Sequence, residues 1–306
     1  MKQKNQPRLL WLGMLAAVLL VVLFSLSVGE YEIPFSHVLA AICQEAGLPL
    51  GEETTVPADQ LAVLWHIRMP RTLVGLLVGA SLGVAGAVMQ GIFGNPLADP
   101  GVLGVSGGAA VGAVLAIAGG FTAGSIYLLP ACAFLGAILS VGITVALSLR
   151  HGRIPVMTLL LSGVVVGMLL AAVTAAVLTV VNEQKLQQYL FWTIGGLDYR
   201  RWEHVTLGVI PICAGMVFLF VMARQLNVLA LGDVVARTVG MPVTTYRILL
   251  LLAAAMITAA GVSISGNIGF VGLVVPHAVR FFTGPDHRRL LPASVVAGGI
   301  FLVFCD

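Results

Sequence analysis

The sequence predicts an all-helical membrane protein that crosses the bilayer many times, and three observations point there. Of 306 residues, 59% are hydrophobic and only 9% are Asp, Glu, Lys or Arg, whereas a soluble domain runs at roughly 45–50% apolar and about 25% charged. The apolar residues come in long unbroken runs, not at the three-to-four-residue spacing of an amphipathic helix. The 36 glycines are too many for a soluble helical protein, but in lipid they let helix backbones approach closely. A soluble enzyme, a disordered chain and a collagen-like fibre are excluded. Residues 1–306 read as a single transmembrane domain.

A spanning helix takes about 20 mostly apolar residues. Nine are predicted, over 9–28, 72–92, 101–118, 128–149, 155–180, 205–223, 246–264, 268–283 and 291–305. The first follows Lys2, Lys4 and Arg8 but is not followed by a small-residue cleavage site, so it reads as a retained helix, not a signal peptide. Positive charge sets orientation. With the N-terminus inside, inner segments hold eleven cations: Lys2, Lys4, Arg8, Arg150, Arg153, Arg224, Arg237, Arg247, Arg280, Arg288 and Arg289. Outer segments hold five, Arg68, Arg71, Lys185, Arg200 and Arg201, among acids that include Glu30, Glu52, Glu53, Asp198 and Glu203. The bias predicts a cytoplasmic N-terminus. Nine spans would then leave Asp306 outside with no flanking anchor, and the expectation is a further helix beyond it.

Two stretches break the apolar monotony. Gly94-Asn95-Pro96-Leu97-Ala98-Asp99-Pro100 separates spans two and three, and Gly261 to Gly272 interrupts spans seven and eight. Irregular backbone at membrane depth must be buried in protein or line a watery cavity. A faint repeat links them: Arg71 precedes Gly86 by fifteen residues, and Arg247 precedes Gly261 by fourteen. Paired interrupted helices point to a transporter built from repeats, while Ala/Gly/Leu-rich sequence also produces such matches by chance. Both readings stand.

Chemistry is sparse. There is no G-x-x-x-x-G-K-[ST], and Lys2, Lys4 and Lys185 are the only lysines, so the chain itself is not expected to hydrolyse ATP. The six histidines form no H-E-x-x-H and no i,i+4 pair, and Cys43, Cys132, Cys213 and Cys305 form no CxxC. No metal site, disulfide framework or resident cofactor is expected. A membrane-embedded enzyme lacks a paired acid, base or metal motif, and nothing suggests a nucleic-acid partner. Spans one to seven carry almost no charge in their apolar cores, which argues against an ion-coupled secondary carrier, the main alternative. Arg280, at an inner edge, reads as a snorkelling anchor at the membrane interface. A wide, neutral path driven from elsewhere is the expectation.

Arg68-Met69-Pro70-Arg71 stands at the outer mouth of span two, with Pro70 suited to a first helical turn. Arginines at i and i+3 project to one side and suit either a partner's carboxylates, held bidentately, or lipid headgroups. On the inner side, Asp233 is expected to cap a short helix that Gly240 closes. The face Val234, Val235, Thr238 and Val239 is apolar yet lies outside any span, which suits an interfacial helix or a knob for a cytoplasmic partner.

Taken in order, these stretches resemble the permease subunits of ABC importers (type II, FecCD-like) for iron–siderophore complexes, haem and cobalamin. The resemblance rests on Arg68-Met-Pro-Arg71, Gly86-x-x-Met89-Gln90, Asn95-Pro-Leu-Ala-Asp-Pro100 and Leu103-Gly104. It continues through Leu159-Leu-Leu-Ser-Gly163, Trp192-x-x-Gly195, Ala230-Leu-Gly-Asp233-x-x-Ala236-x-x-x-Gly240 and Gly269-Phe-Val-Gly-Leu-Val-Val-Pro-His277-x-x-Arg280. Gly284-Pro-Asp286-His287-Arg288 and Leu291-Pro292 complete the set, which covers the chain from about residue 60 onward.

The resemblance implies ten helices in the family, so that the tenth is expected to lie beyond Asp306. It implies a homodimer or close heterodimer of permeases in a bacterial cytoplasmic membrane. Two separate ATP-binding subunits sit beneath and use the ATP, and an extracytoplasmic substrate-binding protein docks outside. By position, Arg68 and Arg71 dock that protein. Asn95 and Leu97 match an inner gate, Val156 and Met157 its second layer, and Thr158, Ser162 and Gly163 line the route. Gly232, Asp233, Ala236, Arg237 and Gly240 match the coupling helix that seats on the ATPase. Val156 and Met157 replace the small hydroxyl residues of some relatives, which suits a gate sealed by dewetting. No residue separates siderophore, haem and cobalamin as cargo.

Overall fold

The computed structural model describes residues 6–47 and 56–306. Lys2 and Lys4 of the expected inner cations, and Glu52 and Glu53 of the outer acids, lie outside the described residues. Fourteen α-helices follow in order: α1 Gln6–Ser27, α2 Phe35–Glu45, α3 Ala58–Val63, α4 Met69–Phe93, α5 Val105–Ala118, α6 Leu128–Ser148 and α7 Val156–Leu178. Then come α8 Glu183–Ile194, α9 Trp202–Val221, α10 Ala223–Ala230, α11 Asp233–Thr238, α12 Val243–Ser265, α13 Val271–Thr283 and α14 His287–Cys305. Among the described residues no strand is named, and Arg150 and Arg153 form one isolated antiparallel bridge.

Among the described residues, six helices are long and apolar enough to cross a membrane: Ala58–Phe93, α6, α7, α9, α12 and α14. Three shorter apolar helices, Trp11–Ser27 within α1, α5 and α13, fall on the remaining predicted spans. At 1.5 Å per residue the 14-residue α5 and 13-residue α13 reach about 20 Å, short of a roughly 30 Å hydrocarbon core. The expectation of full-length helices over 101–118 and 268–283 is corrected accordingly. Each begins with irregular backbone because Pro and Gly interrupt it. Pro100–Leu103 is a 3-10 turn, with Gly104 in the left-handed region at φ 81. Gly266 at φ 77 opens a non-helical stretch up to Phe270.

α4 and α12 form the centre. Of their apolar stretches, 83% and 78% are buried within the chain, against 17% for α7. Glycine makes this possible. A methyl group on Gly79 would collide with the Gly298 carbonyl of α14, and one on Gly86 with the Gly272 carbonyl of α13. Gly108 and Gly136 meet in the same way between α5 and α6. Such small-residue crossings replace the hydrophobic drive that lipid does not supply.

α4 and α12 run antiparallel. Gly75, early in α4, touches Leu197, and Gly266, after α12, touches Gly195 of the same turn; Gly91, late in α4, touches Leu226 and His287 at the opposite end. Each long buried helix ends at a glycine break and is followed by a short helix. The two stretches linked by the faint repeat thus lie on oppositely directed helices, each with a glycine break and a short helix after it.

Candidate functional site

At one end of the bundle, a cavity of ≈ 900 Å3 is walled by residues that include Arg68, Arg71, Asp198, Arg200, Arg201 and Asp306. Arg68 enters it from a single π-turn, Leu64–Arg68, that joins α3 to α4. Its guanidinium turns inward, donating from Nη1 to the Leu26 carbonyl at 2.6 Å and from Nη2 to the Tyr31 carbonyl. Leu26 lies in the last turn of α1, where carbonyls lack helical partners and attract a cation. Gly29 leaves the room: a Cβ there would sit 2.7 Å from Arg68 Nη2. The expected outward pairing of Arg68 with Arg71 is corrected, because Arg68 is 8% exposed. Arg71 reaches the cavity and holds two acids, Asp306 through Nε at 2.6 Å and Nη2 at 2.9 Å, and Asp198 through Nη1 at 2.8 Å.

The opposite end carries the short elbow α10–α11. Gly232, not Asp233, precedes α11, and its φ of 98 suits glycine. Asp233 is the first helical residue; its carboxylate leaves the helix end to pair with Arg247 of α12, a correction to its expected capping role. That guanidinium holds the Asp233 carboxyl below the usual carboxylate range. Gly240 does close the helix: at φ 79 it donates to the Arg237 carbonyl at 2.9 Å, while Met241 donates to the Ala236 carbonyl at 3.0 Å. These two bonds make a Schellman closure. Ala236 is buried, whereas Val234, Val235, Arg237 and Val239 face outward, so an apolar surface stands uncovered in this chain.

Sequence reasoning missed the elbow's second anchor. Asn227 of α10 donates from its amide to Asp286 Oδ1 at 2.7 Å and accepts from the His287 backbone N–H at 2.9 Å, with His287 Nδ1 also 2.7 Å away. Asp286 caps α14, and the Arg288 guanidinium followed by the Asn227 amide pushes its carboxyl well below the usual range. Asp286 directly before the α14 run was the readable signal for the cap, but nothing in the sequence pairs it with Asn227. Arg280 is likewise not a snorkelling anchor: it turns in to Gln90 Oε1 of α4 at 3.3 Å, and Gln90 donates to the Leu273 carbonyl at 3.1 Å.

The path candidates separate. Asn95 and Leu97 share a local turn, Leu97 N donating to Asn95 Oδ1 at 3.0 Å, and both side chains are exposed. Val156 opens α7 after Pro155, and Met157 is 77% exposed. Thr158 and Ser162 are half-buried. Gly163 is a packing contact with no side chain to line a route, since a Cβ there would strike the Val102 carbonyl.

A profile of the FecCD transport family matches residues 17–306. The cobalamin import system permease protein BtuC of Halobacterium salinarum is 40% identical, over 96% of this chain and 86% of the relative. The vitamin B12 import system permease protein BtuC of Klebsiella pneumoniae is 36% identical, over 99% and 86%. Among solved structures, one described as an inward-facing metal-chelate type ABC transporter superposes with a TM-score of 0.85, 28% identity, 98% of this chain and 89% of that one. An apolar helical bundle without a nucleotide-binding loop, carrying at one end an elbow held by the Asp233–Arg247 pair, is thus accounted for: the chain belongs to the FecCD transport family of ABC importer permeases.

Proposed function

We propose that this chain is the membrane subunit that moves cobalamin, or an iron chelate of similar bulk, across a bacterial cytoplasmic membrane. Its six long apolar helices cross that membrane, the shorter α5 and α13 enter it part-way, and its N-terminus lies in the cytoplasm. Two ATP-binding subunits supply the force, a second permease copy completes the path, and an extracytoplasmic binding protein delivers the cargo. Cobalamin is the first cargo to test, because the relatives at 40% and 36% identity are cobalamin and vitamin B12 permeases.

The observation that carries the reading is the elbow. A six-residue helix with an uncovered valine face, clamped to the bundle by an ion pair, suits seating in a groove of a partner. ATP-driven closure of the partners would move α11, tilt the attached helices and open the path alternately to each side. Gly232, Asp233, Ala236, Arg237 and Gly240 form the coupling element, Asn95, Leu97, Val156 and Met157 the gate, and Thr158 and Ser162 part of the route. On the outer side Arg71 is the docking cation, and Arg68 supports the rim that presents it.

Copurification tests the reading: the full chain should bring down an ATPase, and Gly240→Trp should abolish transport while the chain still inserts. Vesicles loaded with ATP and supplied with binding protein should take up cyanocobalamin. Uptake that follows a proton gradient without ATP would instead establish an ion-coupled secondary carrier, the reading that the two broken helix units favour.

A further inference from the structure

One arginine joins the elbow to the helix that opens the path. Arg247 lies in the second turn of α12 and is 2% exposed. Its Nη1 donates to the Ile154 carbonyl at 2.7 Å and to Asp233 Oδ2 at 3.2 Å, and its Nη2 donates to Asp233 Oδ1. Three elements therefore meet on one guanidinium: α12, α11 and the turn between α6 and α7. Its Nε is buried without a hydrogen-bond partner.

The link onward is short and stiff. The accepting carbonyl belongs to the Ile154–Pro155 peptide, and Pro155 is the cap of α7, whose first residue is Val156. Proline fixes its own φ and holds the preceding residue extended, and Ile154 is 1% exposed within the core. Displacement of that carbonyl is displacement of the start of α7. By contrast, the Asn227 clamp ties α10 to the turn before α14, not to α7.

We infer that Arg247 is a positioning residue that carries movement of α11 into the start of α7, by gripping Asp233 and the Ile154–Pro155 peptide together. The inference rests on the reading of α11 as the coupling helix.

Hydrogen exchange on the full chain, assembled with its ATP-binding partners, tests it, comparing nucleotide-free complexes with complexes trapped by ATP and vanadate. Trapping should alter exchange at residues 232–240, 149–158 and 284–290 in the wild type. In Arg247→Gln the response at 149–158 should fall at least about fivefold, the scale of coupling between sites, while 232–240 and 284–290 keep theirs. Arg247→Lys should be intermediate, because an ammonium cannot reproduce the fork. Should Arg247→Gln fail to assemble, Asp233→Asn carries the same expectation through the other partner. An undiminished response at 149–158, or an equal loss at all three segments, overturns the inference, the second outcome marking a merely structural arginine. A wild-type response at 232–240 without one at 149–158 overturns it and spares the coupling-helix reading. No wild-type response at 232–240 overturns both.

Discussion

α4 and α7 are similar in length, 25 and 23 residues, and both are strongly apolar, yet they live in opposite surroundings. The apolar stretch of α4 is 83% buried within the chain and that of α7 only 17%. The difference lies in what the small residues meet: the glycines of α4 meet other helices, while Gly167 of α7 meets open space. α4 carries Gly75, Gly79 and Gly83 at intervals of four, and this flat stripe admits Leu197, Gly298 and Ser294 at backbone range. α7 turns Met157, Leu161, Val164, Val165, Met168 and Leu169 away from the chain, toward lipid or a second copy. In a bilayer hydrophobicity does not say which face is inside, because lipid is as apolar as leucine. Smallness does.

The sharpest way to break this contrast is to give α4 a side chain. Gly79→Val should cost about 4 kcal/mol or more, the range reserved for forced overpacking of a core, and should be read as loss of monodisperse protein after detergent extraction. Gly167→Val in α7 meets open space in the single chain, and should change the thermal midpoint of the monomer little, within about 0.5 kcal/mol. If the two glycines behave alike, the distinction fails.

The clamps come next in size. Arg247→Gln leaves Asp233 unpaired, and the cost should be about 3 kcal/mol, the low end for a buried pair, because the Asp233 side chain is 41% exposed. The same pair sets a pH dependence. The Asp233 carboxyl titrates lower when folded than when unfolded, so its contribution is complete above about pH 4 and is lost as pH falls through the folded value. Acid unfolding should therefore move to higher pH in Arg247→Gln, while stability between pH 6 and 8 keeps its flat profile.

Smaller still, Gly240→Ala must hold a left-handed residue at a cost of about 1–2 kcal/mol, confined to α11 and visible as faster exchange of residues 233–241. The smallest effect on the isolated chain should come from Leu161→Ser with Met168→Ser, both on the open face of α7. Their effect should fall on the mass of the assembled particle, which would sharpen the case that a second copy covers this face.

Much was legible in the sequence. Long apolar runs placed the six helices long enough to cross a membrane, because lipid demands them, and marked three shorter apolar ones without showing that α5 and α13 stop short. Glycine and proline placed the breaks at Gly94 and Gly266, and Gly240 closed α11 as its chemistry requires. The ordered motifs were enough to identify the family. What the sequence did not disclose were partnerships between distant residues. Nothing in the spacing of Arg68 and Arg71 shows that the former is taken up by the end of α1. Nothing near Asp233 shows that Arg247 will draw its carboxylate away from the helix terminus. α8 was missed as well, since its twelve residues mix polar and aromatic side chains with only Leu186, Leu190 and Ile194 and lack a spanning pattern, although Asn182 caps it by accepting from Lys185 N at 3.0 Å.

By itself the sequence determined the solvent this protein folds in, where its apolar helices lie and the family it joins, because burial in lipid and backbone stereochemistry are local demands on composition. Tertiary structure alone decided which helix is the core and where each arginine goes. In a low-dielectric interior a guanidinium must find whichever carbonyl or carboxylate the packing brings within reach, and that is a property of the fold, not of the neighbouring residues.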